Sequence, residues 1–122
     1  MSKAIRIFTD GAGQRMDGKG SGFGWLREDS GERHIERLDG LSNNVAEYKA
    51  VISALQRIKP GATVEILTDS LLVVSQMRGE WRILDSALAK LASEVRTIAE
   101  RKRLNLTLTW IPRNQNRAGK LL

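Results

Sequence analysis

The hydrophobic period of this chain changes sharply at Ser42-Asn43-Asn44, and that change limits the folds open to it. Upstream stand short β-prone runs punctuated by turn residues. Ala4, Ile5, Ile7 and Phe8 belong to a run from Lys3 to Phe8 that reads as a strand ending at Thr9-Asp10-Gly11. A glycine-rich turn, Gly11 to Gly24, leads to two more runs, Phe23–Glu28 and Arg33–Leu38, joined by Asp29-Ser30-Gly31-Glu32. That linker carries turn chemistry, so the spacing predicts a hairpin and, with the first run, a three-strand meander. Downstream, Ala46, Ala50, Val51, Ala54, Leu55 and Ile58 form one stripe of a helix, capped by Ser42-Asn43-Asn44 and ended by Pro60-Gly61.

The remaining pattern alternates between the two periods. Thr63–Thr68 reads as a fourth strand ending at Asp69-Ser70, and Ser70–Met77 as a short helix broken at Gly79. Leu84, Leu88, Leu91, Val95 and Ile98 mark a longer helix, and Asn105–Ile111 a fifth strand with Leu106, Leu108 and Trp110 on one face. Pro112 stops that strand, and Asn116–Leu122 begins a brief helical segment. The order β-β-β-α-β-α-α-β-α predicts a mixed α/β domain, residues 1–122, with helices packed on a five-stranded sheet.

Composition narrows the function. A chain of 122 residues supports one modest core, and the absence of cysteine excludes disulfides and thiolate–metal clusters. The N-terminus MSKAIRIFTDG lacks the apolar run of a signal peptide, and no stretch of about 18 apolar residues suggests a membrane span, so a cytoplasmic protein is expected. Twenty Lys and Arg against fourteen Asp and Glu leave a net charge of +6, which favours a polyanionic partner without proving one.

Three acids then stand out. Asp10 and Asp69 each follow a threonine where a predicted strand runs out, the position at which polar groups of an α/β sheet gather into a site. Glu47 falls in the first turn of the first long helix, on the face of Ala50, Val51 and Ala54, where a carboxylate is costly unless a cation or partner offsets its charge. Each acid alone has an ordinary reading as a turn former or a helix-start residue. Together, with no Cys or His nearby, they form an oxygen ligand set for hard cations, Mg²⁺ or Mn²⁺, and two such ions perform phosphoryl chemistry.

The strings IFTDGAG, SNNVAEYKAVISAL, ILTDSLLVVSQMRGEW and WIPRNQN, in this order and spacing, resemble the type 1 ribonuclease H family, in a compact form that departs from it at the fourth active-site position. The likeness runs from about Arg6 to about Leu122. It implies a ribonuclease H-like α/β fold, whose mixed sheet joins an antiparallel three-strand meander to parallel fourth and fifth strands, with helices on both faces. It also implies an acidic site of Asp10, Glu47 and Asp69, two bound Mg²⁺ or Mn²⁺ ions, and hydrolysis of the RNA strand of an RNA–DNA hybrid to 5′-phosphate and 3′-hydroxyl ends. Asn43 and Asn44 occupy the place of asparagines that contact the hybrid's minor groove, where amides read base edges and the 2′-hydroxyl. Backbone groups of Gly11, Ala12 and Gly13 are placed to approach the RNA strand, and Ser70 follows the third acid. Trp81 falls where an aromatic lies against the DNA strand, and Arg113 offers a fixed positive charge near the scissile phosphate.

Three departures from the family accompany this. A fourth carboxylate normally follows a motif of the form R-E-x-N-x-x-A-D, whereas this chain reads Arg113-Asn114-Gln115-Asn116-Arg117-Ala118-Gly119-Lys120. One alignment puts Lys120 at the missing acid. A second, with a shortened loop, puts Asn116 there as an uncharged ligand of the cation, and is preferred; Asn116 also reads as a simple helix cap. His34, the one histidine, falls in the hairpin as a surface strand residue and not in a mobile loop near the acids. The glycine-rich turn reads Arg15-Met16-Asp17-Gly18-Lys19-Gly20, with Asp17 a poor neighbour for phosphate. With no hybrid-binding module ahead of Ile5, binding is expected to rest on one monomeric domain without an obligate protein partner. The rival readings are a catalytically weak or silent hybrid-binding protein on the same fold, and another nuclease of the wider superfamily acting on DNA.

Overall fold

A computed structural model of the chain describes residues 3–14 and 20–122. The segment 15–19, and with it the expectation about Asp17, lies outside them. The chain enters on Ile5–Ala12 (β1), turns back through Gly22–Arg27 (β2), and returns on Arg33–Arg37 (β3), an antiparallel meander. Thr63–Thr68 (β4) and Asn105–Trp110 (β5) add in parallel, giving the order β3-β2-β1-β4-β5. Parallel neighbours need crossovers, and helices supply them. Asn43–Gln56 (α1) joins the meander to β4, while Leu71–Met77 (α2) and Ser86–Arg101 (α3) join β4 to β5. Two short 3₁₀ turns, Arg113–Gln115 and Arg117–Leu121, follow β5.

All three α-helices share one face of the sheet. Ile7, Trp25, Val64, Ile66 and Leu108 point to that side and meet Tyr48, Val51 and Leu55 of α1, Val73 and Val74 of α2, and Leu88, Ala92 and Val95 of α3. Coverage of the second face takes a lesser form than a helix: Phe8, Leu26 and Leu67 are covered by Ala118, Leu121 and Ile111 around the last 3₁₀ turn. Farther along the same face the sheet is polar. Arg6 bridges Glu65 at 3.1 Å and Glu28 at 2.9 Å, and Thr109 donates to Glu65 at 2.7 Å. No helix among the described residues is long and apolar enough to cross a membrane.

Two element boundaries differ from the sequence reading. Leu84 lies ahead of α3 and is 85% exposed, because the Asp85 carboxylate accepts from the Ala87 and Leu88 N–H groups and starts the helix after it. β1 continues past Asp10 to Ala12. Its parallel pairing with β4 ends at Phe8–Leu67, but the antiparallel ladder with β2 runs on through Asp10–Gly24 to Ala12–Gly22. Asp10 is therefore held inside a strand and not at its end.

Candidate active site

The place where β1 outlasts β4 is a notch, and the acids gather there. Asp69 is the first residue beyond β4, and Asp10 lies across from it on the extended part of β1. Ser42, not Asn43 or Asn44, caps α1, its hydroxyl accepting from the Val45 N–H at 3.2 Å. Glu47 consequently opens the second turn of α1 instead of falling in the first. One carboxylate oxygen from each of Asp10, Glu47 and Asp69 lies within 4.8 Å of the others. They face a cavity of about 860 Å³ whose walls also include Gly11, Ala12, Gly13, Asn43, Asn44, Ser70, Arg113, Asn116, Gly119 and Lys120.

Two glycines let the strand reach the helix. A Cβ on Gly11 would lie 2.4 Å from the Ala46 carbonyl carbon, and one on Gly13 would lie 2.6 Å from the Asn43 nitrogen. Only bare backbone fits so close to the start of α1. The approach lets the Gly11 N–H donate to the Glu47 carboxylate, and the Gly13 N–H to Asn43 Oδ1 at 2.6 Å. Asn43 thus spends its carbonyl oxygen on the loop, while Asn44 stands half-buried on the cavity wall. Ser70 caps α2 through the Val73 N–H at 3.2 Å and lines the same wall.

The electrostatics follow from crowding. Glu47, the most deeply set of the three, is pushed up to about 9, first by burial and then by the charges of Asp10 and Asp69. Asp10 is raised by burial and by Asp69. Among the described residues the cation touching this cluster is Arg113, whose Nε is 3.4 Å from Asp69 Oδ2. Three carboxyls, oxygen donors only and short of positive charge, suit a hard divalent cation, which relieves the repulsion that otherwise keeps Glu47 protonated.

Comparison with known proteins bears on the family. Residues 8–122 match the family described as "Reverse transcriptase-like". The ribonuclease H of Rhizobium etli is 33% identical over 121 residues, covering 89% of this chain and 79% of that protein. The chain superposes on LC11-RNase H1, solved in complex with an RNA/DNA hybrid, with a TM-score of 0.85 and 29% identity over 96% of this chain and 92% of that one. The chain belongs to the type 1 ribonuclease H family. The bifunctional protein Rv2228c of Mycobacterium tuberculosis is 40% identical over 83 residues, 66% of this chain, and this chain spans 22% of that protein's length.

Within the ribonuclease H frame, the segment after β5 departs from the expectation. Asn116 is buried, 4% exposed, and its carboxamide makes three hydrogen bonds. Nδ2 donates to the Thr9 carbonyl at 2.9 Å and to Asp69 Oδ1 at 3.3 Å, while Oδ1 accepts from the Ala118 N–H at 3.1 Å. Turning the amide over would set oxygen against oxygen and N–H against N–H, so the network fixes its orientation. In this orientation the amide N–H, and not the oxygen expected to serve as a ligand, faces Asp69. Lys120 is exposed on the cavity wall. The residue of this turn that lies against the acids is Gly119: a Cβ there would stand 3.4 Å from Asp10 Oδ2. Gly119 is neither of the two positions, Lys120 and Asn116, expected for the missing acid. The only sequence signal for it is Ala118-Gly119 in place of the motif's Ala-Asp.

Other expected contacts spread more widely. Trp81 is 46% exposed after α2 and does not line the cavity. Trp110, at the end of β5 and marked on the sequence only by its strand face, neighbours the site: its indole N–H donates to the Asp69 carbonyl at 3.3 Å. His34 is on β3 beside Glu36, its ring 6.0 Å from that of Trp25, as a surface strand residue.

Proposed function

We propose that this ribonuclease H is an active endonuclease that hydrolyses the RNA strand of RNA–DNA hybrids, with two Mg²⁺ or Mn²⁺ ions, leaving 5′-phosphate and 3′-hydroxyl ends. The observation that carries the reading is the convergence of Asp10, Glu47 and Asp69 in one solvent-open cavity. These three residues would hold the cations. Bound divalent ions supply an acidified water as nucleophile and a positive field for the phosphate oxygens.

The chain's own groups do the positioning. Asn44 presents a side-chain amide to the cavity and Asn43 stands beside it, suited to a minor groove and its 2′-hydroxyls. The backbone of Gly11, Ala12 and Gly13 lines the same opening, allowing close approach of a sugar–phosphate chain. The exposed Arg113 guanidinium holds Asp69 and faces incoming phosphate, and Trp81 offers an aromatic surface to the DNA strand outside the cavity. That LC11-RNase H1 is in complex with an RNA/DNA hybrid supports the choice of substrate.

The test is cleavage of labelled RNA–DNA hybrid, double-stranded RNA and double-stranded DNA in Mg²⁺ or Mn²⁺. Cleavage confined to the RNA of the hybrid, and abolished in D10N, E47Q and D69N, is expected. Cleavage of duplex DNA alone would replace the reading with a DNA nuclease. One feature favours a second reading, a hybrid-binding protein of weak activity: Gly119 leaves Asp10 without a fourth carboxylate beside it. Tight hybrid binding without cleavage in either ion would establish it.

A further inference from the structure

The engaged carboxamide of Asn116 points to a role other than capping. We infer that Asn116 is a positioning residue: its Nδ2 group ties Asp69 to the β1 backbone, so that Asp69 is aimed at Asp10 and Glu47 before any cation arrives. This rests on the proposal that the three carboxylates hold divalent cations.

Three observations combine. Asp69 lies just past the end of β4, where no ladder fixes its side chain. Asn116 Nδ2 reaches two acceptors at once, Asp69 Oδ1 and the carbonyl of Thr9, the residue preceding Asp10, and so joins the two strands that carry the aspartates. Arg113 takes the other Asp69 oxygen, Oδ2, at 3.4 Å, but its side chain is 94% exposed and unsupported, whereas Asn116 is buried. A buried, doubly committed donor fixes orientation better than a solvent-exposed arginine. Asn116 also brings no charge of its own into a cluster already crowded with carboxyls. It does through direction what a fourth acid would do through charge, in the manner of groups that orient metal ligands from outside the coordination sphere.

Asn116→Ser separates the two roles of the residue. Serine caps a helical turn well, but its hydroxyl is too short to serve Asp69, and it adds no charge. The readout is Mn²⁺ affinity, from the electron paramagnetic resonance signal of the free ion at pH 8, with unfolding of the metal-free protein followed alongside. Asn116→Ser is expected to keep its melting temperature within a few degrees and to bind Mn²⁺ about tenfold or more weakly. Asn116→Asp keeps an oxygen for the Ala118 N–H but sets another against Thr9 and Asp69, and is also expected to bind more weakly; it serves if the serine variant does not fold. Unchanged Mn²⁺ affinity in Asn116→Ser reduces Asn116 to a cap. Tighter binding in Asn116→Asp makes it a ligand position. Either result overturns the inference. A parent protein that takes up no Mn²⁺ at all overturns the cation site with it, whereas loss of cleavage with Mn²⁺ uptake intact touches only the proposed activity.

Discussion

Glu47 is kept in a position where its charge is unwelcome, and the consequence can be read in stability. Its folded-state pKa is about 9 against an ordinary value of 4.5, so without metal the fold binds that proton more tightly than the unfolded chain does. The stabilisation is complete below about 4.5 and is lost as pH rises toward 9, with Asp10 acting in the same direction. Metal-free protein is therefore expected to melt progressively lower between pH 5 and pH 9, and E47Q to flatten that slope and melt higher at pH 8. A difference of at least ~1 kcal/mol corresponds to about 4 °C for a domain of this size, readable by circular dichroism in EDTA. Gly119 gives the complementary case. A side chain there meets Asp10 Oδ2 at ordinary contact distance, so G119D adds a carboxylate beside Asp10. Mn²⁺ affinity is expected to rise about tenfold, or ~1.4 kcal/mol, by calorimetric titration. The three acids were legible in the sequence because two follow a threonine near the end of a β-prone run and the third interrupts an apolar helical stripe, although β1 outlasts Asp10 and Glu47 opens the second turn of α1. Asn116 and Gly119 were harder to place, because Asn116 caps a 3₁₀ turn, in which residues i and i+3 eclipse, and Gly119 lies within it. A glycine, moreover, has no side chain to announce its place.

At the scale of elements, the helix-start and strand signals read from the sequence mostly hold, and the exceptions have local causes. Leu84 fits the apolar period of α3, but Asp85 accepts two N–H groups and starts the helix beyond it. β1 was expected to stop at its acid because Thr-Asp-Gly resembles a turn; the ladder with β2 carries it two residues further. The end of α1 shows a device that no local pattern announces. Lys102 Nζ, just past α3, donates to the carbonyls of Leu55, Gln56 and Ile58 at 3.0, 2.6 and 2.9 Å. A cation there answers both the carbonyls at the end of the helix and the negative end of the helix dipole, and it pins α1 to the following crossover. K102M is expected to cost about 1–2 kcal/mol in urea unfolding, with Mn²⁺ affinity unchanged because the acids lie at the opposite end of α1.

For the whole molecule, the alternation of periods gives the order of elements along the chain and the family resemblance gives their order in the sheet, while the uneven covering of its faces follows from neither. The stripe on α1 shows that a helix packs on the sheet but not how many helices share that side. All three α-helices do, leaving the far face to a short turn and the Arg6–Glu65–Glu28 network. The net charge of +6 also belongs to this scale. If two or more phosphates are contacted, hybrid affinity should fall about tenfold or more between 50 and 200 mM salt, measured with D10N by fluorescence anisotropy; a flat profile would remove backbone phosphates from the interface. The bond from Asn116 to Thr9 spans 107 positions of the chain. During synthesis, then, the first acid emerges long before the residue that helps align its partner. A nascent chain that has yet to present Asn116 holds all three carboxyls but lacks the clasp between them, so Asp69 is expected to take its aim only once this late segment has docked on the sheet.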